Sequence, residues 1–487
     1  MASVVLRGGR VIDPASDLDA VQDVLIEGGA IAAVGDGLEG HTVVDVSGSI
    51  VGPGFIDLHS HVHTIAGQRL QALDGVTTAL DLEAGLMPVA KAYAAAAAEG
   101  RPLNYGFSAS WGGARGQVLA GVPADADFGT ALALLADEEW QRSSTAQELA
   151  AWLELLRGEL ADGALGIGIL MGYAPRTDPA EMVAVAQLAV EAGTPTYTHV
   201  RELVESDPTT PIDGSTEIAV VAGETGAHMH HCHVNSTSRR HIDRVLTTLA
   251  DAQARGARVS VEAYPYGAGS TGIGAFFLAP ERLPAWGLTP HSLVVVPTGE
   301  RIASEQRLRE LRETEPGLPV IVEFLDETVD ADRALLQRAL EFPGAIVASD
   351  AMPVFFPDGA MESRDWPLPP GGQTHPRTAG TYSKALRMMV GSGAWTWPEA
   401  FRRCSWLPAQ VLSFAPAAQD KGHLGVGADA DVVVLDPDAL TDRATYADPT
   451  QPSAGVRHLL VNGEFVVRDG ALVPDAYPGK GLRASPR

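Results

Sequence analysis

Apolar and polar positions alternate at both ends of the chain, in the pattern that is typical of β-strands. Residues 4–13 and 23–31 are predicted strands near the N-terminus, where Gly-Gly pairs mark turns. A matching β-rich segment near the C-terminus begins at residues 425–436. We therefore predict that the two ends meet in one small composite β-sandwich domain, formed by residues 1–52 with residues 416–487.

The middle of the chain, residues 53–415, alternates short apolar runs with stretches of helical periodicity. Predicted helices span residues 70–74, 89–99, 146–161, 179–192, 239–255 and 300–314. This alternation is typical of an α/β fold with a parallel sheet. The pattern loosens over residues 272–345, and a long insertion of this kind usually forms a lid or a small subdomain over a site.

Composition narrows the class of protein. Apolar residues make up 45% of 487 positions and charged residues 20%, which indicates a globular chain with a large domain and an accessory one. The net charge of −26 argues against nucleic acid and anionic membranes as partners, because both bind clustered Lys and Arg. No signal peptide or membrane-spanning run stands out, and Cys232 and Cys404 are too few for a disulfide framework. We expect a cytoplasmic protein; homo-oligomerisation is left open.

The run GFIDLHSH, residues 54–61, is the first candidate for chemistry. A short apolar strand leads into two histidines, and because side chains alternate along a strand, His59 and His61 project to the same side. Two imidazoles on one face can hold a divalent metal, and imidazole suits zinc. An isolated His-x-His is more often a pair of ordinary half-buried histidines, but here further polar residues follow later apolar runs.

Five more polar positions follow short apolar runs along the middle of the chain. They are Asp81 with Glu83, His199, the cluster at residues 228–233, Glu262 and Asp350. The catalytic groups of (β/α)8 enzymes come from the C-terminal ends of several strands. One such position is weak support by itself, whereas six in order predict a single constellation.

These residues carry a resemblance to a known family. GFIDLHSH resembles the metal-binding signature of the amidohydrolase superfamily, whose members hydrolyse amides with one or two metals in a (β/α)8 barrel. The runs Gly-Val-Thr-Thr, Thr-His-Val-Arg-Glu, Tyr-Pro-Tyr and His-Pro-Arg are similar to those of N-acyl-D-amino-acid deacylases, and Leu-x-Leu-Glu-Ala-Gly to their D-glutamate deacylase-like branch. The resemblance covers nearly the whole chain and implies a TIM-like (β/α)8 metal-dependent hydrolase barrel over residues 53–415.

The resemblance also implies a set of metal ligands, namely His59, His61, His199, His233 and Asp350. Asp350, in Ser-Asp-Ala-Met-Pro, resembles the late-barrel aspartate that touches the metal and moves the proton. The ordinary alternative for Asp350 is a helix N-cap. His63 is expected to have a supporting or packing role.

Four histidines stand close together at positions 228, 230, 231 and 233. Strand alternation places His231 and His233 on one face, with His228 and His230 on the other, and turns Cys232 away from the site. The Cys-His-Val-Asn ending resembles the family's Ser-His-x-Lys, so His233 is the predicted ligand. The other three histidines are expected to support the site or to pack.

A second metal needs a bridging anion. Several branches of the family use a carbamylated lysine, but this chain has no lysine between Lys91 and Lys384. N-acyl-D-amino-acid deacylases place a cysteine after the second strand, where this chain has Ala84. Glu83 precedes it, and a carboxylate can join two divalent ions. We predict that Glu83 is a ligand rather than a supporting residue, with Asp81 as its rival on the same face.

The same comparison implies substrate contacts. Tyr173 and Tyr266 match family positions near the scissile carbonyl, where a hydroxyl can donate to the developing oxyanion. Arg377 matches a carboxylate-binding arginine, with an ordinary surface arginine as the alternative. Asn235 stands where the family has a second carboxylate contact, a lysine, so that contact is absent or rebuilt.

The predicted function is a metal-dependent hydrolase that cleaves the C–N amide bond of an N-acylated (D-)amino acid, or a related small amide, with metal-activated water. We expect Zn2+, one or two per chain, with other divalent metals left open. The alternative is a cyclic amide or imide hydrolase resembling dihydroorotases and hydantoinases, against which the missing lysine counts. A non-catalytic scaffold is disfavoured because the implied histidine and aspartate ligands are all present.

Overall fold

A computed structural model describes residues 3–485, and the chain divides into two compact units. The first comprises Met1–Leu80, Tyr93–Gly106 and Ile346–Arg483, and the second comprises Asp81–Ala92, Phe107–Ala345 and Ala484–Arg487. Among the described residues, no helix is both long enough and apolar enough to cross a bilayer. The predicted domain boundaries stay predictions.

The first unit contains a nine-stranded sheet that draws on both ends of the chain. Its strands are β1 (Val4–Asp13), β2 (Leu18–Glu27), β3 (Ala30–Gly35), β4 (Thr42–Asp45), β5 (Ile50–Pro53), β17 (Val432–Leu435), β18 (Val456–Val461), β19 (Glu464–Arg468) and β20 (Ala471–Leu472). β5 and β17 pair antiparallel, with Val51 opposite Val434. Val24, Ile26 and Leu460 belong to the apolar cluster buried with these strands. The predicted β domain built from both ends is confirmed.

The two Gly-Gly pairs near the N-terminus have different structures. Gly28 and Gly29 both have positive φ and form the turn between β2 and β3, which divides the predicted strand over residues 23–31. Gly8 and Gly9 instead lie inside β1, where the register with β2 shifts. A bulge of this kind bends a strand without ending it.

Eight parallel strands form the sheet of the (β/α)8 barrel, in the order β16-β12-β11-β10-β9-β8-β7-β6. They are β6 (Phe55–Asp57), β7 (Val76–Leu86), β8 (Asn104–Ser110), β9 (Ile167–Leu170), β10 (Thr196–His199), β11 (Met229–His231), β12 (Val259–Ala263) and β16 (Ile346–Val347). Just past β6 and β16, Ser60 pairs with Ala351 in a parallel bridge, so the first and last strands continue side by side. The predicted barrel is confirmed.

Within residues 3–485, fifteen α-helices accompany these strands. They are α1 (Ile65–Ala72), α2 (Val89–Glu99), α3 (Trp111–Arg115), α4 (Phe128–Leu134), α5 (Glu138–Gln141), α6 (Ala146–Ala161), α7 (Pro179–Ala192), α8 (Gly214–Thr225), α9 (Val234–Ser238), α10 (Ile242–Ala254), α11 (Glu305–Thr314), α12 (Asp330–Glu341), α13 (Arg377–Gly391), α14 (Trp397–Phe401) and α15 (Leu407–Val411). Three predicted helices, α2, α6 and α7, have the predicted bounds. The helix predicted over residues 70–74 begins earlier, at Ile65, because Thr64 caps it.

The segment at residues 272–345 lies in the second unit and includes most of a small three-stranded sheet. Its sheet is antiparallel in the order β13-β15-β14, formed by β13 (Ala268–Gly272), β14 (Leu293–Val295) and β15 (Pro319–Glu323). The sequence pattern did not predict these strands, which are only three to five residues long. The helix predicted over residues 300–314 shortens to α11, because Ser304 caps it.

Candidate metal-binding groups

In the first unit, the residues after β6 and β16 bring two histidines and one aspartate together. Nε2 of His59 lies 3.1 Å from Nε2 of His61. Oδ1 of Asp350 lies 3.4 Å from the first of these nitrogens and 3.5 Å from the second. Two like imidazole nitrogens at this separation repel unless a proton or a cation lies between them. The convergence of two imidazoles and a carboxylate is the arrangement in which proteins hold zinc and its neighbours.

Asp57, the last residue of β6, fixes the backbone around this group. Its buried carboxylate accepts hydrogen bonds from the N–H groups of His59 and Ser349, at 3.2 and 3.0 Å, and from the side-chain amide of Gln71 at 3.0 Å. The hydroxyl of Ser349 also donates to it. Burial raises the pKa of Asp57 to about 6, against the opposing effect of these donors. Sequence reasoning assigned Asp57 no role; its position two residues before His59 was the available signal.

Asp350 is positioned by its own backbone and by Arg377. Its φ is 51°, a left-handed value that is uncommon for aspartate, and its N–H donates to the carbonyl of His59 at 2.7 Å. Arg377 opens α13, is fully buried, and places Nη2 2.8 Å from Oδ1 of Asp350. Two ordinary alternatives are thereby excluded. Asp350 caps no described helix, since α13 is the next one along the chain, and Arg377 does not lie on the surface.

In the second unit, Glu83 on β7 forms another group with two histidines. Its Oε1 lies 2.7 Å from Nε2 of His233 and 3.1 Å from Nδ1 of His199. All three residues are buried, and their ligand atoms lie within 4.8 Å of one another. The rival, Asp81, accepts the N–H of Gly85 through Oδ1 at 3.1 Å. The geometry therefore favours Glu83 over Asp81 as the carboxylate of this group.

Neighbouring residues aim the rings of these two histidines. The hydroxyl of Ser236 lies 3.0 Å from Nδ1 of His233, and a hydrogen bond there leaves Nε2 available for a ligand. Gly172 lies against His199, where an added Cβ would come within 2.5 Å of Cδ2. The ring of Tyr173 has its centroid 4.5 Å from that of His199. The predicted Tyr173 thus lies directly beside a candidate ligand.

The histidine cluster departs from the predicted alternation. β11 ends at His231, and His233 has a left-handed φ of 31°, so the strand period does not extend to it. The ring of His231 meets the hydroxyl of Ser215 at 3.2 Å, and burial lowers its pKa to about 3. The prediction that His231 and His233 share a face is wrong. Cys232 was also predicted to point away, yet its Sγ lies within 4.8 Å of a carboxylate oxygen of Glu262.

Asn235 holds the turn that carries Tyr266. Its Oδ1 accepts the N–H of Tyr264 at 3.2 Å, and its Nδ2 donates to the carbonyl of Tyr266 at 3.4 Å. Both Asn235 and Tyr266 are buried. Contacts of Asn235, Tyr266, Tyr173 and Arg377 with a substrate stay predictions.

The donor atoms of each group fit a divalent metal. Each group offers two imidazole nitrogens and one carboxylate oxygen, a set that suits zinc better than the oxygen-only shells of calcium or magnesium. The carboxylates of both groups are largely shielded from solvent. A buried carboxylate is costly without a compensating charge. Arg377 supplies one to Asp350, and a divalent cation would supply one to the carboxylate of either group. The residues present therefore fit the cofactor expected from the sequence.

Comparison with known proteins finds relatives that match nearly the whole chain. The model of the amidohydrolase family Amidohydro_3 matches residues 42–467. N-acyl-D-glutamate deacylase of Alcaligenes xylosoxydans xylosoxydans is 30% identical over 99% of this chain and 96% of its own length. D-aminoacylase of the same organism is 29% identical over 96% and 95%. A similar solved structure is that of N-acyl-D-glutamate deacylase from Bordetella bronchiseptica, complexed with zinc and a phosphonate mimic of the tetrahedral intermediate. It is 25% identical in sequence, has a TM-score of 0.76, and the match covers 99% of this chain and 100% of that one.

Proposed function

The chain belongs to the amidohydrolase family, and on that premise we propose that it deacylates N-acyl-D-amino acids with bound zinc. The protein is a hydrolase that acts on carbon–nitrogen amide bonds. The observation that carries the metal-dependent reading is the pair of contacts made by one oxygen of Glu83, at 2.7 Å to His233 and 3.1 Å to His199. This carboxylate offers the negative charge that other branches obtain from a modified lysine.

We assign metal ligation to two groups, each within one unit: His59, His61 and Asp350 in the first, and Glu83, His199 and His233 in the second. A divalent metal, when bound, supplies Lewis acidity that activates water and stabilises negative charge. One or two zinc ions per chain are proposed, and the partner is a small-molecule amide.

The protein's own groups supply the remaining steps. Asp350 takes a proton from the attacking water and delivers it to the leaving nitrogen, and the contact of 2.8 Å with Arg377 keeps its carboxylate in one orientation. Tyr173, beside His199, donates to the oxygen of the scissile carbonyl as negative charge develops there. A guanidinium has five N–H donors, so Arg377 can hold Asp350 and also bind the substrate carboxylate.

The full-length similarity to deacylases of D-amino-acid derivatives supports the proposed substrate class. The cyclic-amide alternative is not favoured, because lysine is absent between Lys91 and Lys384 and related cyclic-amide hydrolases usually carry a carbamylated lysine.

The test is a matched substrate panel for the purified zinc-loaded protein. N-acetyl-D-glutamate and N-acetyl-L-glutamate differ only in configuration, and dihydroorotate and hydantoin represent cyclic amides. We expect the D-isomer to be hydrolysed at least about a hundredfold faster than the L-isomer, a difference of about 3 kcal/mol in the barrier. Hydrolysis of the cyclic amides alone, or equal rates for the two isomers of N-acetylglutamate, would contradict the proposal.

A further inference from the structure

A continuous line of hydrogen bonds links side chains on β11 and β12 to the backbone of a candidate ligand. Nε2 of His228 lies 2.9 Å from the hydroxyl of Ser260, which lies 2.7 Å from Nδ1 of His230. Nε2 of His230 lies 2.9 Å from Oε2 of Glu262. The other oxygen of Glu262 accepts the backbone N–H of His233 at 3.2 Å. Three side chains from two neighbouring strands, with His228 just before β11, thus form a series of hydrogen bonds that ends at one peptide group.

An ionised carboxylate and singly protonated imidazoles together give this line one consistent direction. An ionised Glu262 only accepts hydrogen bonds, so His230 donates to it from Nε2. When the ring of His230 carries one proton, its lone pair is on Nδ1, which accepts the hydroxyl proton of Ser260. The oxygen of Ser260 in turn accepts from Nε2 of His228. Every donor along the line therefore meets an acceptor, and both histidines carry their proton on Nε2.

The backbone of His233 requires such support. Its φ of 31° is unusual for a residue with a side chain and persists only where the surroundings hold it. This turn aims Nε2 of His233 at Glu83, 2.7 Å away. A residue that leaves a strand in this conformation loses the sheet's own hydrogen bonds, and Glu262 accepts the N–H in their place.

We infer that Glu262, oriented by His230, is a positioning residue that holds His233 ready to bind metal. The inference deepens the proposed function and rests on it, because His233 is one of its proposed ligands. Ser260 and His228 act one and two steps further away, by keeping His230 in the tautomer that donates to Glu262. Replacing partners of this kind typically lowers metal affinity ten- to a hundredfold.

The test uses variants of the full-length chain. For each variant we measure the zinc affinity and determine which ring nitrogen of His230 carries the proton. Glu262→Ala removes both acceptors, and we expect it to weaken zinc binding by about ten- to a hundredfold at full stoichiometry. Glu262→Gln keeps an oxygen for the N–H of His233, so it should recover part of this loss. Its NH2 group must donate to Nε2 of His230, which should move the proton of that ring to Nδ1. Nitrogen-15 NMR of histidine-labelled, metal-free protein reads this change directly.

Ser215→Ala is the matched control for Ser260→Ala. Both variants delete a hydroxyl that contacts a histidine of the same cluster, but Ser215 meets His231, which lies outside the line. We expect Ser260→Ala to weaken zinc binding by several-fold and Ser215→Ala to leave it within about twofold. Thermal unfolding of each variant shows whether the fold is retained.

Several outcomes would overturn the inference. They are wild-type zinc affinity in a folded Glu262→Ala, equal losses in Ser260→Ala and Ser215→Ala, or His230 protonated on Nδ1 in the unaltered chain. Loss of a whole zinc equivalent at saturating metal would make Glu262 a ligand instead of a positioning residue. The tautomer measurement needs neither metal nor substrate, so it tests this inference alone. Zinc binding and hydrolysis by the wild-type protein test the proposed function, and the two failures can therefore be told apart.

Discussion

Asp74 is a buried residue that contacts α13, the helix that begins at Arg377. Burial raises the pKa of its carboxyl group and hydrogen bonds lower it, and the balance between the two can be measured. Its buried carboxylate accepts the N–H groups of Tyr382 and Ser383 in α13, at 2.7 and 3.0 Å, and the hydroxyl of Ser453 at 2.8 Å. These donors favour the ionised form. Burial nevertheless outweighs them and raises the pKa of Asp74 from 3.8 to about 7.

The sign and size of the effect on stability follow from this shift. Between pH 4 and pH 7 the folded chain holds a proton on Asp74 that the unfolded chain has released, so the free energy of unfolding falls as the pH rises. The shift of about three units corresponds to a total of about 4 kcal/mol, of which about 2.5 kcal/mol is lost between pH 5 and pH 8. Below pH 4 this contribution is fully present.

Asp74→Asn removes the titrating group and keeps its shape. Denaturant unfolding followed by circular dichroism at pH 5, 6, 7 and 8 gives the free energy of unfolding of both proteins. We expect the wild-type value minus the variant value to fall by about 2.5 kcal/mol over this range. Asp251→Asn, on the exposed side of α10, is the control and should show no such trend. A difference that stays constant or rises with pH would show that the donors keep Asp74 ionised, and the reasoning would be refuted.

Three further predictions concern the candidate ligands. Glu83→Ala should lose the second zinc equivalent and most activity while the barrel stays folded, and two full equivalents by elemental analysis would show that another group, such as Asp81, carries that role. Asp350→Asn should retain metal but lower kcat by at least about a hundredfold, so near-normal turnover would place the proton carrier elsewhere. Gly172→Ala should weaken zinc binding at least about tenfold, because its Cβ would come within 2.5 Å of the ring of His199. Gly158→Ala is the control: its Cβ would have open space around it, so zinc binding should be unchanged.

The sequence predicts the bounds of a helix or strand best where one apolar periodicity extends over the whole element. α6 and α7 have the predicted bounds because apolar spacing and the caps Thr145 and Asp178 agree on where each helix begins. The histidine cluster shows the limit of the same reasoning. Alternation was counted through His233, but β11 ends at His231, and nothing in a list of residues marks that ending.

The sequence assigns no supporting role to Asp57 or Glu262, for a related reason. Glu262 was recognised at a strand end, yet its contact with His230 depends on the register between β11 and β12. Asp57 and Ser349 are far apart in sequence and meet only because the first and last barrel strands continue side by side. The sequence thus predicts which residues at strand ends can bind a metal. The residues that orient these ligands can be identified only when it is known which strands pair and in what register.

Zinc titration of the metal-free protein during hydrolysis of N-acetyl-D-glutamate tests the central claim most directly. Each aliquot is measured for bound zinc by elemental analysis and for the rate of release of D-glutamate. The account predicts negligible turnover without metal and a rate that rises with bound zinc until one or two equivalents per chain are reached. Full turnover with less than about half an equivalent of any divalent metal, unchanged by a chelator, would contradict it.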